Sequence, residues 1–194
     1  MKNIFSKMFP KDASSLLKEA TAAKQEGEID KAVELLRQAY LAISKTTVIY
    51  GIETFLKLPL YLQAAGKVDD AWHEFNLLLQ DKYPNPPKDY SVRVMMHSIT
   101  YDKMRLFLQR EEKYSDAIKY EVLSKMCWCI GLHLQKRFEE IQTMKRPFEF
   151  STLKKAKKEN LATQLDAVFS HFLNQLPSPD LSNLTKQVEK LVVN

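Results

Sequence analysis

Three stretches of this chain write the same turn. Gly27-Glu-Ile-Asp-Lys-Ala-Val33, Gly66-Lys-Val-Asp-Asp-Ala-Trp72 and Glu112-Lys-Tyr-Ser-Asp-Ala-Ile118 align without a gap. Each begins with a turn position, Gly27, Gly66 or Glu112, and has an apolar residue two places on, Ile29, Val68 or Tyr114. Glycine ends a helix readily because it takes a left-handed conformation without steric penalty. Asp30, Asp69 and Ser115 are then expected as N-caps that accept from the free N–H groups of the next helix. Ala32, Ala71 and Ala117 follow, small enough for two antiparallel helices to approach closely. The pattern predicts a helical hairpin, made three times.

With a second small residue at Ala39, this pattern resembles the tetratricopeptide repeat. The first copy, about Ala13–Thr46, carries Leu16, Ala20, Gly27, Ala32 and Ala39. The second, about Ile52–Asn85, keeps Gly66, Ala71 and Pro84, with Leu78 where the second small residue belongs and Pro59 inside its first helix. Pro59 predicts a kink or break there. The third, about Ser98–Gly131, keeps Tyr101, Leu108, Tyr114 and Ala117. The family repeats about every 34 residues. Here the alanines lie 39 and 46 apart, so helices or loops are longer, and the proline-rich 81–91 stretch accounts for the second gap.

The resemblance implies an all-α fold: a short right-handed superhelix of antiparallel helix hairpins over residues 13–144. Residues 1–12 form an N-terminal tail, and residues 145–194 hold a basic segment and two C-terminal capping helices. The first of these is predicted from Leu161, Leu165, Val168, Phe169, Phe172, Leu173 and Leu176, stopped by Pro177 and Pro179. The second starts near Asp180 and carries Leu181, Leu184, Val188 and Leu191 on one side. With no 18-residue uncharged apolar run and no signal-like leader, the chain is expected to be cytoplasmic. Cys127 and Cys129 point the same way, since two cysteines staple nothing.

Charge is local. Residues 1–144 are close to balanced, with 21 basic and 19 acidic groups, whereas residues 145–160 hold six basic against two acidic. Lys154, Lys155, Lys157 and Lys158 form a candidate anion site, read here as the start of a helix where they would oppose its dipole. Residues 1–9 carry Ile4, Phe5, Met8 and Phe9 against Lys2 and Lys7, a short amphipathic piece expected to pack on the first hairpin or stay loose.

No catalytic constellation is present. Phosphate-loop, nucleophile-elbow, zinc-protease and dinucleotide motifs are missing, so neither enzyme activity nor a cofactor is expected. Cys127, Cys129 and His133 read as C-x-C-x3-H. Residues two apart on a helix point about 200° apart, so they are expected as core thiols and not as metal ligands. The resemblance then implies a protein or peptide partner in the concave groove. In register, Lys24, Gln25, Glu53, Gln63, Asp102, Gln109 and Arg110 line it. The family's carboxylate-clamp positions fall on Leu17, Thr21, Lys57, Ile99 and Lys103, of which only Lys103 fits, so binding of an acidic chaperone tail is not implied. Tyr83, Tyr90, Met95, Met96, Tyr101 and Met104 form an aromatic and methionine-rich group expected to be mostly core. The expected role is a non-catalytic interaction module. The alternatives are an inhibitor or immunity-type protein for one partner, and nucleic-acid binding through residues 145–158.

Overall fold

Each aligned turn closes one helix and opens the next in the computed structural model, which describes residues 12–144 and 148–193. The tail of residues 1–11 and the basic pair Lys145 and Arg146 lie outside the described residues. Helix α1 spans Ala13–Gln25 and α2 Ile29–Ile43; α3 spans Ile52–Ala64 and α4 Val68–Leu79; α5 spans Tyr90–Arg110 and α6 Tyr114–Leu134. Shorter elements follow: α7 (Phe138–Gln142), α8 (Ser151–Lys155), α9 (Ala162–Leu173) and α10 (Leu181–Val193). The described residues contain no strand, and the helices pack in pairs. The chain divides after Pro86 into two compact units.

The turns are closed by the backbone. Gly27 and Gly66 have φ +82° and +73°, and Glu112 reaches φ +58° at a cost that glycine avoids. In each, the next N–H reaches five residues back: Glu28 to Ala23 O at 2.8 Å, Lys67 to Leu62 O at 2.9 Å, Lys113 to Leu108 O at 2.9 Å. This closure leaves the chain aligned to start the following helix two residues earlier than expected. Asp30, Asp69 and Ser115 are therefore not N-caps. Glu28, Lys67 and Lys113 stand at that position with no side-chain cap, and the acidic groups sit in the first turn, where the helix dipole favours them. Lys136, at φ +60°, makes another such turn before α7, with Arg137 N–H 2.9 Å from Leu132 O. Sequence reading passes over it because neither glycine nor alanine marks it.

A Cβ built at Gly27 or Gly66 meets nothing within 4 Å. Alanine there is strained by backbone conformation alone, so Gly27→Ala and Gly66→Ala are each expected to lower stability by about 1 kcal/mol. Glu112→Gly relieves the same strain and is expected to gain up to about 1 kcal/mol. Urea denaturation of the three variants checks both signs.

In the first unit, Ala20, Ala32, Ala39 and Ala71 are fully buried, as close helix approach requires. The second hairpin is stacked on the first in register. Asp30 pairs with Lys67 at 2.6 Å and Arg37 with Glu74 at 3.4 Å, both 37 residues apart. Equal offsets mean that α2 and α4 run in the same direction. Helix α3 does not break at Pro59, which is buried inside it. The long connection to α5 turns back on the first hairpin, where the Asn85 amide donates to Thr46 O at 2.9 Å and Val48 O at 3.0 Å. Tyr83 packs its ring on Phe55 at 5.0 Å.

The second unit is built around α6. This helix packs against α5, α7, α8, α9 and α10, so it is buried on several sides instead of one. The α5–α6 hairpin starts at Tyr90, eight residues before the expected repeat start at Ser98, and each of its helices runs 21 residues. Phe169, Phe172, Leu165, Leu184 and Val188 close its core from α9 and α10, as expected of capping helices. Lys119 on α6 pairs with Glu189 on α10 at 2.6 Å. Asp180 caps α10 by accepting from Asn183 N–H at 2.9 Å.

Candidate functional site

In the first unit the first helices of the two hairpins meet through two cross-links. Lys57 Nζ on α3 donates to Thr21 Oγ1 on α1 at 3.3 Å. One turn further along both helices, Lys24 Nζ lies 4.6 Å from the centre of the Tyr61 ring. The residues rise together, 21 with 57 and 24 with 61, so α1 and α3 also run in the same direction. Thr21 and Lys24 are three apart and Lys57 and Tyr61 four apart, the spacings that share a helix face. This face carries two ammonium groups whose partners are a hydroxyl and an aromatic ring. Among the described residues neither lysine has a carboxylate partner. Lys24 is exposed and Lys57 half-buried.

Of the expected groove residues in this unit, Lys24, Gln25 and Glu53 are exposed and Gln63 is half-buried. Lys57 and Thr21, read only as poor clamp positions, form the better-defined part of the face together with Tyr61. The signal for it was the repeat offset of 36–37 residues between chemically matched positions, visible only once stacking is known.

The remaining groove residues belong to the second unit, where Asp102 and Gln109 bond within the fold. Asp102 accepts from Arg105 at 2.7 and 2.9 Å. Gln109 is buried and is corrected from groove to core: it donates to Thr152 Oγ1 at 3.1 Å and accepts from Lys155 Nζ at 2.7 Å. Arg110 is exposed. Glu121, also buried, reaches the start of α8, accepting from Ser151 N–H and Thr152 N–H, each at 2.8 Å. No sequence motif announces this carboxylate, which lies 30 residues from the amides it holds.

The basic segment is not one helix start. Lys154 and Lys155 close the five-residue α8, Lys157 takes φ +55°, and a short 3-10 turn, Glu159–Leu161, leads into α9. Lysines at a helix C-terminus favour its dipole, the reverse of the expected opposition. Lys155 binds Gln109, and Lys158 Nζ donates to Val192 O. Lys154 and Lys157 are exposed. The four lysines thus split between internal and solvent-facing roles.

Cys127 and Cys129 are buried thiols on α6 that form no disulfide with each other, as expected of core thiols. Burial pushes the Cys127 thiol up to about 12, with the neighbouring Cys129 adding to the effect. No group of three or more metal-ligating side chains occurs among the described residues. Of the aromatic and methionine group, Tyr83 and Met104 are buried, Met95, Met96 and Tyr101 are partly buried, and Tyr90 is exposed. No helix among the described residues is long and apolar enough to cross a membrane.

No protein-family model, curated protein or solved structure matches the chain. The resemblance to tetratricopeptide repeats therefore stands on the residues quoted for it.

Proposed function

We propose that the chain is a non-catalytic protein-interaction module, and that the α1–α3 face receives a peptide segment bearing an acidic side chain. The observation that carries this reading is the pair of lysines, Lys24 and Lys57, set on two parallel helices with neutral partners. A hydroxyl and a ring hold the ammonium groups in place and leave their charge uncompensated. An incoming carboxylate adds charge-assisted hydrogen bonds, which are the stronger kind. Parallel first helices are also how stacked hairpins present an extended binding surface. An inhibitor of one partner would use the same face and differ in having a single tight stoichiometric target.

Selection of a random peptide library on the immobilised full chain tests this. Enriched peptides are expected to share an Asp or Glu. Lys24→Glu together with Lys57→Gln is expected to weaken them about tenfold or more, while Glu34→Lys on the exposed part of α2 leaves them unchanged. Peptides that are enriched without acidic residues, or that ignore the lysine changes, would overturn the assignment.

A further inference from the structure

A cavity of about 390 Å³ opens in the second unit, within the size range of small-ligand sites. Its apolar wall is Trp128, Met144 and Phe148. Trp128 is 37% exposed on a helix that is otherwise largely buried, so the indole is available at the cavity. Its polar wall is Ser98, Ser124 and Lys125.

The polar wall offers donors to an incoming acceptor. Serines in helices commonly return their hydroxyl hydrogen to the carbonyl four residues back, as Thr100 does to Met96 O at 3.0 Å. Ser98 and Ser124 instead face each other across the α5–α6 pair, with Oγ atoms 3.3 Å apart. Two hydroxyls share one contact, so one hydroxyl hydrogen is left to give. Next to Ser124, the Lys125 ammonium lies 5.8 Å from the Phe150 ring and has no carboxylate partner among the described residues. Glu149 also lines the cavity; it is exposed and has an interaction of its own, and it does not pair with Lys125.

We infer that this cavity binds a carboxylate with an apolar body. The carboxylate meets the Lys125 ammonium and the serine hydroxyls, and the body lies against Trp128, Met144 and Phe148. Methionine suits such a wall because its unbranched side chain adapts to irregular shapes. The inference is independent of the peptide face in the first unit. The same chemistry is offered by a small aryl- or alkyl-carboxylic acid and by a peptide C-terminus ending in a large apolar residue.

The test titrates the full chain carrying Trp72→Phe, so that the remaining one of the two tryptophans, Trp128, reports binding by fluorescence. The probes are 4-phenylbutyrate, 4-phenylbutanamide, and acetyl-Gly-Gly-Gly-Phe with a free or amidated C-terminus. A free acid is expected to saturate with Kd below about 1 mM, and the matching amide to bind about tenfold more weakly. Lys125→Met is expected to lose about tenfold, while Lys125→Arg keeps affinity and Ser124→Ala weakens it a few-fold. A free peptide that binds tighter than 4-phenylbutyrate assigns the site to a peptide C-terminus; the reverse order assigns it to a small acid. No saturation by any probe, acid and amide binding equally, or a folded Lys125→Met chain with unchanged affinity would each overturn the inference. Should Lys125→Met fail to fold, the acid–amide comparison and Ser124→Ala decide it alone.

Discussion

Glu121→Ala is expected to destabilise the second unit by about 3 kcal/mol and to release α8 from α6. The carboxylate is buried, and its two oxygens are divided: one accepts from Ser151 N–H and Ser151 Oγ at 2.8 and 3.0 Å, the other from Thr152 N–H at 2.8 Å. These amides belong to the first turn of α8, whose own N-cap residue, Phe150, supplies no side-chain acceptor. A helix of five residues has no stability of its own. It holds its place through this borrowed cap, through the Gln109 links to Thr152 and Lys155, and through burial of Thr152 and Leu153. Glu121→Gln separates charge and geometry from bulk. Glutamine offers one oxygen where two amides need two, and its NH2 then faces an N–H, donor against donor. It is expected to cost at least half as much as alanine. Denaturation of the full chain gives the total, and amide exchange over residues 148–158 shows whether α8 opens first. A glutamine variant as stable as the parent would remove Glu121 from this role.

What the sequence made legible follows from how many residue types each structural demand accepts. A positive φ strongly favours glycine, and a close helix approach calls for alanine, so Gly27, Gly66, Ala32, Ala71 and Ala117 announce two and a half hairpins directly. Where another residue bears the strain, as Lys136 does at φ +60°, the turn is silent. The caps were misplaced because backbone carbonyls, not Asp30, Asp69 or Ser115, close the turns. Lys157 misled for a related reason: its positive φ splits a lysine run that composition alone reads as one helix. The repeat register places Gln109 in the groove, yet Thr152 meets it from 43 residues away. The Lys24–Tyr61 and Lys57–Thr21 cross-links were hidden likewise, because they join residues from successive repeats. Local conformation can be read from a single position, whereas partners across the fold cannot.

Tyr40→Phe is expected to cost about 1–2 kcal/mol in the natural sequence and distinctly less when Pro59 is alanine. Proline lacks the N–H that would donate to the carbonyl four residues back, here that of Phe55. The Tyr40 hydroxyl reaches this place from α2, lying 2.7 Å from Thr54 O and 3.1 Å from Phe55 O. Its one hydrogen is shared between these two carbonyls, so it reaches the one that Pro59 leaves unserved and supports α3 where a break was expected. Burial holds the phenol far above its ordinary pKa, so it stays protonated and able to donate at any working pH. Phenylalanine keeps the ring, which packs edge-on to Phe55 at 5.1 Å, and removes the donor alone. Pro59→Ala restores the backbone N–H, so the Phe55 carbonyl no longer depends on Tyr40. The coupling between the two changes is expected near 1 kcal/mol, measured by denaturation of all four chains. An equal cost of Tyr40→Phe in both backgrounds would show that the hydroxyl does not stand in for the missing N–H. The consequence reaches the proposed peptide face. Lys57 and Tyr61 flank Pro59 on α3, and only an unbroken helix keeps them one turn apart and in step with Thr21 and Lys24.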